Sequence, residues 1–459
     1  MSVELVVTDG TLVSPHGTFA GDLLVDDGHI SGIVSPGTDV DAETTVDAAG
    51  KLVLPGVVDP HVHVNGPNTI DGYEAGSRAA ALGGVTSFIT FAWQGWESPE
   101  SPFSRDGTLR EAVERQYEAA DSSLVDFSVH ATLTRDDPAA LAEIPDLVDD
   151  GIVSFKIFTT YDFGLRNGFI ERVFEALAET GGVAVLHTED DDVCRMRESV
   201  MREEGLGAPV EYPDSRPDHA EAMAADDAVR MAQNAGNKYY GIHTSCRAVA
   251  DILEAAQTDK SRIRGETCVH YTTLDRSAYE SQGLRPMIAP PLRTADDIDA
   301  MFEHLSRGTL DVVSTDHVAF TEESKQTDNW WESEYGANSV QYSLPVFHDE
   351  AVNKRGMSYP KLVQLLCANP ARIFGLPDKG TLEPGTDADF VLFDPDATQT
   401  IDATENESRA DYSIYEGREV TGSVAATYLR GECIAADGEV LGESGYGASI
   451  DRDVPDWSE

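Results

Sequence analysis

The sequence predicts an α/β fold, a (β/α)8 TIM barrel with a small flanking β-sandwich made from both chain ends. In the middle of the chain, apolar strand candidates alternate with Ala- and Glu-rich helical stretches such as 109–120 and 169–180. Strand followed by helix, repeated, is typical of a parallel sheet. Both chain ends instead carry short apolar runs between Gly, Asp and Pro turns, which is typical of antiparallel strands. Because no GxGxxG fingerprint follows the first strand of the middle section, a closed barrel is favoured over an open doubly wound sheet.

The sequence pattern changes near two prolines, Pro55 and Pro377, and these changes set the predicted domain boundaries. Runs such as VELVV and DLLVDD predict short strands before the first proline, and DADFVLFDP predicts one after the second. We therefore assign residues 1–54 and 377–459 to the β-sandwich and residues 55–376 to the barrel. The final segment, DRDVPDWSE, is predicted to be a mobile terminus.

Charge is the strongest compositional signal. The chain has 82 acidic and 33 basic residues, a net charge of -49. The acids are spread along the whole chain, and 41% hydrophobic residues supply a large core, so the charge coats a folded surface. Such a surface argues against nucleic acid as a partner. It favours a salt-rich cytoplasm of the halophile type, because salt screens the self-repulsion.

The same reading predicts a cytoplasmic protein without a membrane partner. No apolar run is long enough to span a bilayer, and the start MSVELVVTDG has neither a basic leader nor an apolar signal core. The cysteines are odd in number and include no CxxC pair, which argues against a disulfide framework and against a thiolate zinc site. They are predicted to be reduced, mostly buried residues: Cys194, Cys246, Cys268, Cys367 and Cys433.

The motif Asp59-Pro60-His61-Val62-His63 directly follows the apolar run LVLPGVV. Side chains two apart on a strand point the same way, so both imidazoles can share one metal ion. By itself the motif leaves an alternative open, because two solvated histidines at a strand end have the same sequence.

Other metal-binding residue types also end apolar strand candidates. His187 follows GVAVL, His243 follows KYYGI, and Asp316 follows DVVST. In a parallel barrel the carboxyl ends of the strands gather on one rim, where active sites form. Imidazole and carboxylate are suitable ligands for zinc and its neighbours in the first transition row.

Lys156 lies inside the apolar run GIVSFKIFTTY. A buried ammonium is costly unless it pairs, loses its proton or is modified. A neutral lysine can take up carbon dioxide, and the resulting carbamate could bridge two cations. The alternative is a lysine that extends from the strand end to water.

Eight segments in order resemble the cyclic amidohydrolases, particularly the dihydropyrimidinase and hydantoinase group, with allantoinase close by. They are HVH, FKIFTTY, LHTED, SRPDHAE, IHTSC, APPLRT, STDH and ANPARIFGL. The resemblance covers nearly the whole chain, and it implies a homotetramer (or homodimer) acting on a small cyclic amide. It also implies these metal ligands: His61 and His63 for the first divalent ion, N6-carboxylated Lys156 as the bridge, His187 and His243 for the second, and Asp316 as ligand and base.

The mechanism that this resemblance implies is hydrolysis of a ring amide by a hydroxide that bridges the two ions. Zn2+ is the expected metal, with Mn2+ or Co2+ as alternatives. Asp316 takes the hydroxide proton and hands it to the departing ring nitrogen. Tyr161, at the position of the hydantoinase tyrosine, donates to the developing oxyanion, or is instead a packing aromatic at the rim.

The substrate is expected to be a dihydropyrimidine or hydantoin-type ring. Asn65, Ala289 and Tyr335 occupy the positions of substrate-contact residues, although Ala289 and Tyr335 replace the Ser and Asn of hydantoinases. Trp330 and Trp331 are expected near the pocket, where they would favour a bulky ring substituent, or else in a packed surface loop.

Alternative functions remain open from the sequence. The segments HVHVN and ETCVHY resemble allantoinase, whereas dihydroorotase is less expected because Asn65 replaces its arginine. Some dihydropyrimidinase relatives are scaffold proteins that keep the barrel and lose the ligands, but all six ligand positions are kept here. A mononuclear deaminase on the same barrel would not need Lys156.

Overall fold

The computed structural model describes residues 2–98, 103–257 and 262–458. Before the barrel, β1 pairs with β4 and β6, and β5 extends this sheet beyond β4, whereas β2, β3 and β7 join a second sheet. The strands are β1 (Ser2–Thr8), β2 (Thr11–Ser14), β3 (Gly17–Ala20), β4 (Asp22–Asp26), β5 (His29–Val34), β6 (Asp41–Asp47) and β7 (Leu52–Pro55).

Among the described residues, the middle of the chain forms an eight-stranded parallel sheet in sequential order. Its strands are β8 (Val57–Asp59), β9 (Val85–Trp93), β10 (Asp126–Thr132), β11 (Ser154–Phe158), β12 (Val183–His187), β13 (Lys238–Gly241), β14 (Ile263–Cys268) and β15 (Val312–Ser314). A parallel bridge between Val62 and His317 brings the first and last strands together. The predicted (β/α)8 barrel is therefore confirmed, and the closing bridge places the HxH motif beside Asp316.

Helices follow most barrel strands and cover the outside of the barrel. They are α1 (Tyr73–Leu82), α2 (Leu109–Ala119), α3 (Pro138–Asp149), α4 (Asn167–Thr180), α5 (Asp191–Glu204), α6 (Asp218–Ala235), α7 (Arg247–Ala256), α8 (Val269–Thr273), α9 (Ala278–Gln282), α10 (Ala295–Arg307), α11 (Glu322–Lys325), α12 (Ser343–His348), α13 (Tyr359–Val363) and α14 (Asn369–Phe374). The predicted helices at 109–120 and 169–180 correspond to α2 and α4. In the described part of the chain, no helix combines the length and apolarity needed to cross a membrane.

The helix ends show why these segments are helical. Thr108 accepts from the backbone N–H of Glu111, whose carboxylate accepts from the Thr108 N–H, so a capping box starts α2. Thr294 and Asp297 form the same motif at α10. The helix α4 ends at Gly181, which has a φ of 77° that a residue with a side chain adopts at a cost.

After the barrel, the chain returns to the second flanking sheet. The strands are β16 (Phe390–Thr400), β17 (Glu419–Leu429), β18 (Glu432–Ala436) and β19 (Glu439–Val440). β16 pairs antiparallel with β7, so strands from both chain ends share one sheet, as expected. Leu23 and Val25 of the first sheet pack with Phe390 and Leu392 of the second in one apolar cluster. The predicted small flanking β structure is thus present, and its core lies between two sheets.

The carboxyl-terminal segment was expected to be mobile, and the structure corrects this expectation. The Arg452 guanidinium is buried and donates to Ser154 Oγ (2.8 Å) and to the Val129 carbonyl (2.6 Å), both on barrel strands. Trp457 is 3% exposed and packs with Val183 and Val312, the first residues of β12 and β15. The segment therefore covers the amino-terminal end of the barrel. Its mostly polar sequence did not indicate that Arg452 and Trp457 would anchor it.

Trp457→Ala is expected to lower the free energy of unfolding by about 3 kcal/mol, because it removes a buried indole and leaves a cavity. Its Nε1–H, which donates to the Ile373 carbonyl at 3.0 Å, is lost as well. Urea unfolding in molar KCl measures the change. Val454→Ala, in the same segment but 45% exposed, is the control and should change the free energy by less than about 0.5 kcal/mol. Equal effects of the two substitutions would contradict the anchoring role.

Candidate metal centre

The carboxyl ends of the first and last barrel strands bring three predicted ligands together. His61 and His63 follow β8, and Asp316 follows β15. Asp316 Oδ1 lies 3.0 Å from His61 Nε2 and 3.3 Å from His63 Nε2. One potential ligand atom of each residue lies within 4.8 Å of the other two, and all three residues are buried. This arrangement suits a divalent cation with imidazole and carboxylate ligands.

A second pair of histidines lies beside the first group. His187 is the last residue of β12, and its ring centroid is 4.5 Å from that of His243, which follows β13. The His243 ring is 5.5 Å from the His61 ring. These residues, Asp316 and Lys156 all line one cavity of about 380 Å³. The structure thus brings all six predicted ligands to one site.

Lys156 is 1% exposed, which excludes the alternative of a lysine that extends to bulk water. Its Nζ lies 4.2 Å from the centroid of the Phe158 ring. Within the described ranges, no carboxylate lies within ion-pair distance of this Nζ. Burial lowers the pKa of Lys156 from 10.5 to about 7 despite the carboxylates of Asp316 and Glu266 farther away. A substantial fraction of the amine is therefore neutral near pH 7, the form that can react with carbon dioxide.

Carboxylates behind the histidines orient the His61 ring and hold the backbone N–H groups of His61 and His243. Glu266 Oε1 accepts from His61 Nδ1 (2.7 Å) and from the His243 N–H (3.2 Å), and Glu266 Oε2 accepts from the Tyr240 hydroxyl (2.8 Å). Asp59 accepts from Thr315 Oγ1 (2.6 Å) and from the His61 N–H (3.1 Å). With Nδ1 of His61 donating, Nε2 is left free for a cation, the usual division in metal-binding histidines.

The pKa values of two histidines show that the site favours a positive charge. Burial opposes a charge on His61, but the carboxylates of Asp316 and Glu266 outweigh burial and raise the pKa of His61 to about 9. Burial lowers the pKa of His63 to about 4. A proton on His61 thus supplies the positive charge that the carboxylates favour, and a cation can take its place.

Unpartnered polar atoms give a second test of the fit. His243 Nδ1 is buried and has no hydrogen-bond partner in the described chain. Asn68 Nδ2 lies 3.2 Å from His63 Nδ1, while Asn68 Oδ1 is buried and unpartnered. Exchanging the two ends of the Asn68 amide would let His63 Nδ1 donate to Oδ1 and free His63 Nε2 for a cation. These residues therefore fit a metal centre better than a closed hydrogen-bond network.

Four of the eight described non-glycine residues with a positive φ lie at or near this site. Positive φ values, which are costly for residues other than glycine, occur at Asn65 (51°), Tyr161 (73°), His243 (39°) and Asp316 (46°). Three of these side chains line the cavity. The surrounding structure holds these conformations, which is typical of functional sites.

The predicted substrate contacts divide into two groups. Tyr161, Ala289 and Tyr335 line the cavity. Asn65 is not among the residues that line it, and its Nδ2 donates instead to Gln116 Oε1 at 2.7 Å. Its positive φ turns the side chain toward α2, so Asn65 supports the loop after the HxH motif.

The aromatic wall of the cavity comes from residues that sequence reasoning did not select. Trp330 is fully buried behind the rim and donates from Nε1 to the Leu206 carbonyl (2.9 Å), and neither it nor Trp331 lines the cavity. The packing alternative is the observed one for these two residues. Besides Tyr161 and Tyr335, the described aromatic side chains of the wall are Trp93, Phe103, Phe158, Phe163 and Phe320. For Trp93, Phe158 and Phe163 the signal in the sequence was their place at or just after the end of an apolar strand, in VTSFITFAW and FKIFTTYDFG.

The sequence pattern that defines the amidohydrolase family matches residues 52–434. The chain belongs to this family, and the resemblance read from the motifs is confirmed. Among curated proteins it is 31% identical to the L-hydantoinase of Paenarthrobacter aurescens and 32% identical to the D-hydantoinase of Streptomyces coelicolor, each match covering 98% of both chains.

Solved structures give the same result for the fold. The crystal structure of dihydropyrimidinase from Brevibacillus agri NCHU1002 is similar with a TM-score of 0.92 and 28% identity, over 98% of this chain and 99% of that chain. The relatives are thus matched over their full length, and the amidohydrolase family is one of metal-dependent hydrolases.

Proposed function

We propose that the protein opens the ring of a cyclic amide of the hydantoin or dihydropyrimidine type by metal-dependent hydrolysis. The observation that carries this proposal is the convergence of four imidazoles, one carboxylate and one buried, unpaired lysine on a single cavity. It is supported by similarity over 98% of both chains to one protein named L-hydantoinase and one named D-hydantoinase.

The proposed metal centre holds two divalent ions, with Zn2+ favoured and Mn2+ or Co2+ as alternatives because the ligands are imidazole and carboxylate. When bound, the ions supply the Lewis acidity that lets water attack an amide carbonyl near neutral pH. The proposed ligands are His61 and His63 for one ion, His187 and His243 for the other, Lys156 as a bridging carbamate, and Asp316.

The proposed proton carrier is Asp316. Burial alone would raise the pKa of this carboxyl, but His61 and His63 hold it well below its ordinary value, so the group is in the carboxylate form that a proton acceptor needs. It lies in the cavity wall with Lys156 and the histidines, where it can take the proton of the attacking water. The same carboxyl then protonates the departing ring nitrogen, and the two transfers leave Asp316 unchanged.

Tyr161 is the proposed donor to the oxygen of the reacting carbonyl. Burial raises the pKa of its phenol well above the ordinary value, so the hydroxyl keeps its proton at neutral pH. Its backbone N–H donates to Asp191 Oδ1 at 3.1 Å, which fixes the strained turn that carries the ring. A preorganised donor of this kind stabilises the negative charge that develops on the carbonyl oxygen.

The cavity walls favour a hydantoin with an apolar substituent. Trp93, Phe103 and Phe163 contact one another in the cavity wall and offer a surface for an aryl or alkyl group. No arginine lines the described part of the cavity, so the carboxylate of dihydroorotate would lack a guanidinium partner. The polar ureido group of allantoin would likewise face aromatic rings.

A substrate panel in molar KCl tests the proposal: dihydrouracil, hydantoin, 5-phenylhydantoin, allantoin and dihydroorotate, each followed by ring opening. We expect 5-phenylhydantoin to have the highest kcat/KM. Trp93→Ala should lower kcat/KM for 5-phenylhydantoin by about tenfold and leave unsubstituted hydantoin nearly unchanged, because only the substituent loses its contact. Trp331→Ala, an aromatic residue outside the cavity, is the control. A metal-loaded protein that opens none of the five rings would overturn the proposal.

The same proposal includes a cytoplasmic location and assembly into a homotetramer (or homodimer). The described cysteines are all free, as a reducing compartment requires. Exposed apolar side chains lie on α5, on the turn after it and on α6, where a second copy could cover them: Met196, Val200, Val210 and Met223. The salt-rich cytoplasm expected from the net charge stays a prediction.

A further inference from the structure

The motifs SRPDHAE and APPLRT supply no proposed metal ligand or catalytic group, and the structure shows that their charged side chains meet behind the metal centre. Glu189 of LHTED pairs with Arg216 of SRPDHAE, and Arg293 of APPLRT pairs with Glu221 at 2.9 Å. The Arg293 Nη1 also donates to the Arg216 carbonyl at 2.6 Å. All four charged side chains are at least nine-tenths buried, so each charge depends on its partner.

Arg216 occupies the central position in this group. Its Nη1 donates to Glu189 Oε2 at 2.5 Å, and the same oxygen accepts from His187 Nε2 at 2.9 Å. Its guanidinium carbon lies 5.0 Å from the ring centroid of Tyr161 and 5.2 Å from that of Tyr335. One side chain therefore contacts a proposed metal ligand through a carboxylate and two aromatic residues of the cavity directly.

We propose that Arg216 is a positioning residue that holds the Tyr161 phenol in its donating position and, through Glu189, the His187 ring in its metal-binding orientation. The inference rests on the proposed function, because it concerns how the side chains of that site are held in position. Arg216 itself touches neither the substrate nor the ions.

The contacts on the two sides of Tyr161 explain why a guanidinium is needed. The backbone of Tyr161 is held in its left-handed conformation by Asp191, which accepts from the Tyr161 N–H and from Thr160 Oγ1. These bonds do not fix the ring itself, which lies between the Phe163 and His187 rings, each 5.3 Å away between centroids, and the planar cation of Arg216. A guanidinium can stack on a ring while it donates in its plane to a carboxylate, whereas an ammonium offers no flat face.

Glu189 transmits the second effect. His187 Nε2 donates to Glu189, so the other ring nitrogen, Nδ1, is the one available to a cation in the cavity. Arg216 pairs with the same carboxylate oxygen and thereby restricts the carboxylate as well as neutralising it. Loss of this pair would leave Glu189 buried without a cation and the His187 ring without a fixed tautomer.

Arg216→Lys tests the stacking contact, because lysine keeps the charge for Glu189 but loses the planar face. We expect kcat to fall at least about tenfold with KM changed less than about threefold, since the misplaced phenol acts in the transition state. In a Tyr161→Phe background the same substitution should cost less than about threefold, because the hydroxyl that Arg216 positions is already absent. Equal losses in the two backgrounds would show a general structural role and overturn the proposal.

Arg202→Lys is the matched control. Arg202 lies 5.1 Å from the Trp331 ring, so it forms the same kind of stack outside the cavity, and its replacement should leave kcat unchanged. If Arg216→Lys does not fold, Tyr335→Leu reaches the same contact from the other ring. This substitution should lower kcat in the wild-type background and should lower it much less in the Tyr161→Phe background. Equal losses of kcat in the two backgrounds would likewise overturn the proposal.

Metal binding gives a readout that does not depend on turnover. Metal-free Glu189→Gln, titrated with Zn2+ in a calorimeter, should show about tenfold or greater loss of affinity for one of two ions, with Glu203→Gln on the exposed face of α5 as control. Unchanged affinity in Glu189→Gln would overturn the coupling to His187. If instead the wild-type protein opens no cyclic amide, the proposed function fails, while this titration still decides the coupling of His187 to Glu189.

Discussion

Asp316→Asn is expected to lower kcat by about 10⁴-fold while the protein stays folded. The amide that replaces the carboxylate has nearly the same shape, so the packing around it is kept, but it cannot accept the proton of the attacking water or return it to the ring nitrogen. It also removes the negative charge that holds a proton or a cation between His61 and His63. Steady-state kinetics with 5-phenylhydantoin and analysis of bound metal measure the two effects separately.

Asp311→Asn is the matched control for this experiment. Asp311 precedes the same strand, β15, at its amino-terminal end, and it is also buried, but its charged partner is Arg264 at 3.8 Å, away from the cavity. Its replacement by asparagine should leave kcat within about threefold of the wild type. Wild-type turnover by Asp316→Asn would remove this carboxyl from the mechanism, whatever the metal content.

The residues of the metal centre could be predicted because they lie on or directly after regular strands. An apolar run that ends in His or Asp predicts a strand with a polar residue at its end, and parallel barrel geometry brings such ends together. His187, His243 and Asp316 were placed by this rule alone. The long-range pairing did not need to be known, since the barrel imposes it.

Glu266 shows a signal that was present and not used. It is a charged residue inside the apolar strand β14, as Lys156 is inside β11, and it orients the His61 ring and accepts from the His243 backbone N–H. The argument that a buried charge needs a partner applies equally to both residues. A systematic search for ionisable residues within apolar strands would have found it.

Loop residues were harder to predict, because their direction depends on backbone conformation and on distant partners. Asn65 follows the HxH motif closely, yet a φ of 51° sends its side chain to Gln116. The sequence around Lys325 has no regular hydrophobic pattern. Its ammonium nevertheless donates to the carbonyls of Met287, Glu334 and Gly336 and so fixes one wall of the cavity. Local hydrophobic periodicity carries no information about such contacts.

Lys156→Ala is expected to lose most bound metal and all measurable turnover. The substitution removes the proposed bridge between the two cations, and the remaining histidines then hold them separately and weakly. The fold should be kept, because the lysine amine is buried and unpaired and its burial is unfavourable to folding. Elemental analysis of the purified variant measures the metal, and full occupancy without any added acid would count strongly against a bridging role.

Rescue by short carboxylic acids distinguishes a lost bridge from a damaged cavity. The alanine variant leaves space where the lysine stem was, so acetate or propionate can place two oxygens near the position of the carbamate. Partial return of both metal and turnover is therefore expected. Lys156→Met is the control, since its side chain fills the same space without an amine and should show no rescue. If both variants recovered equally, the acid would be acting elsewhere in the cavity, and the requirement for an anionic bridge at Lys156 would be lost.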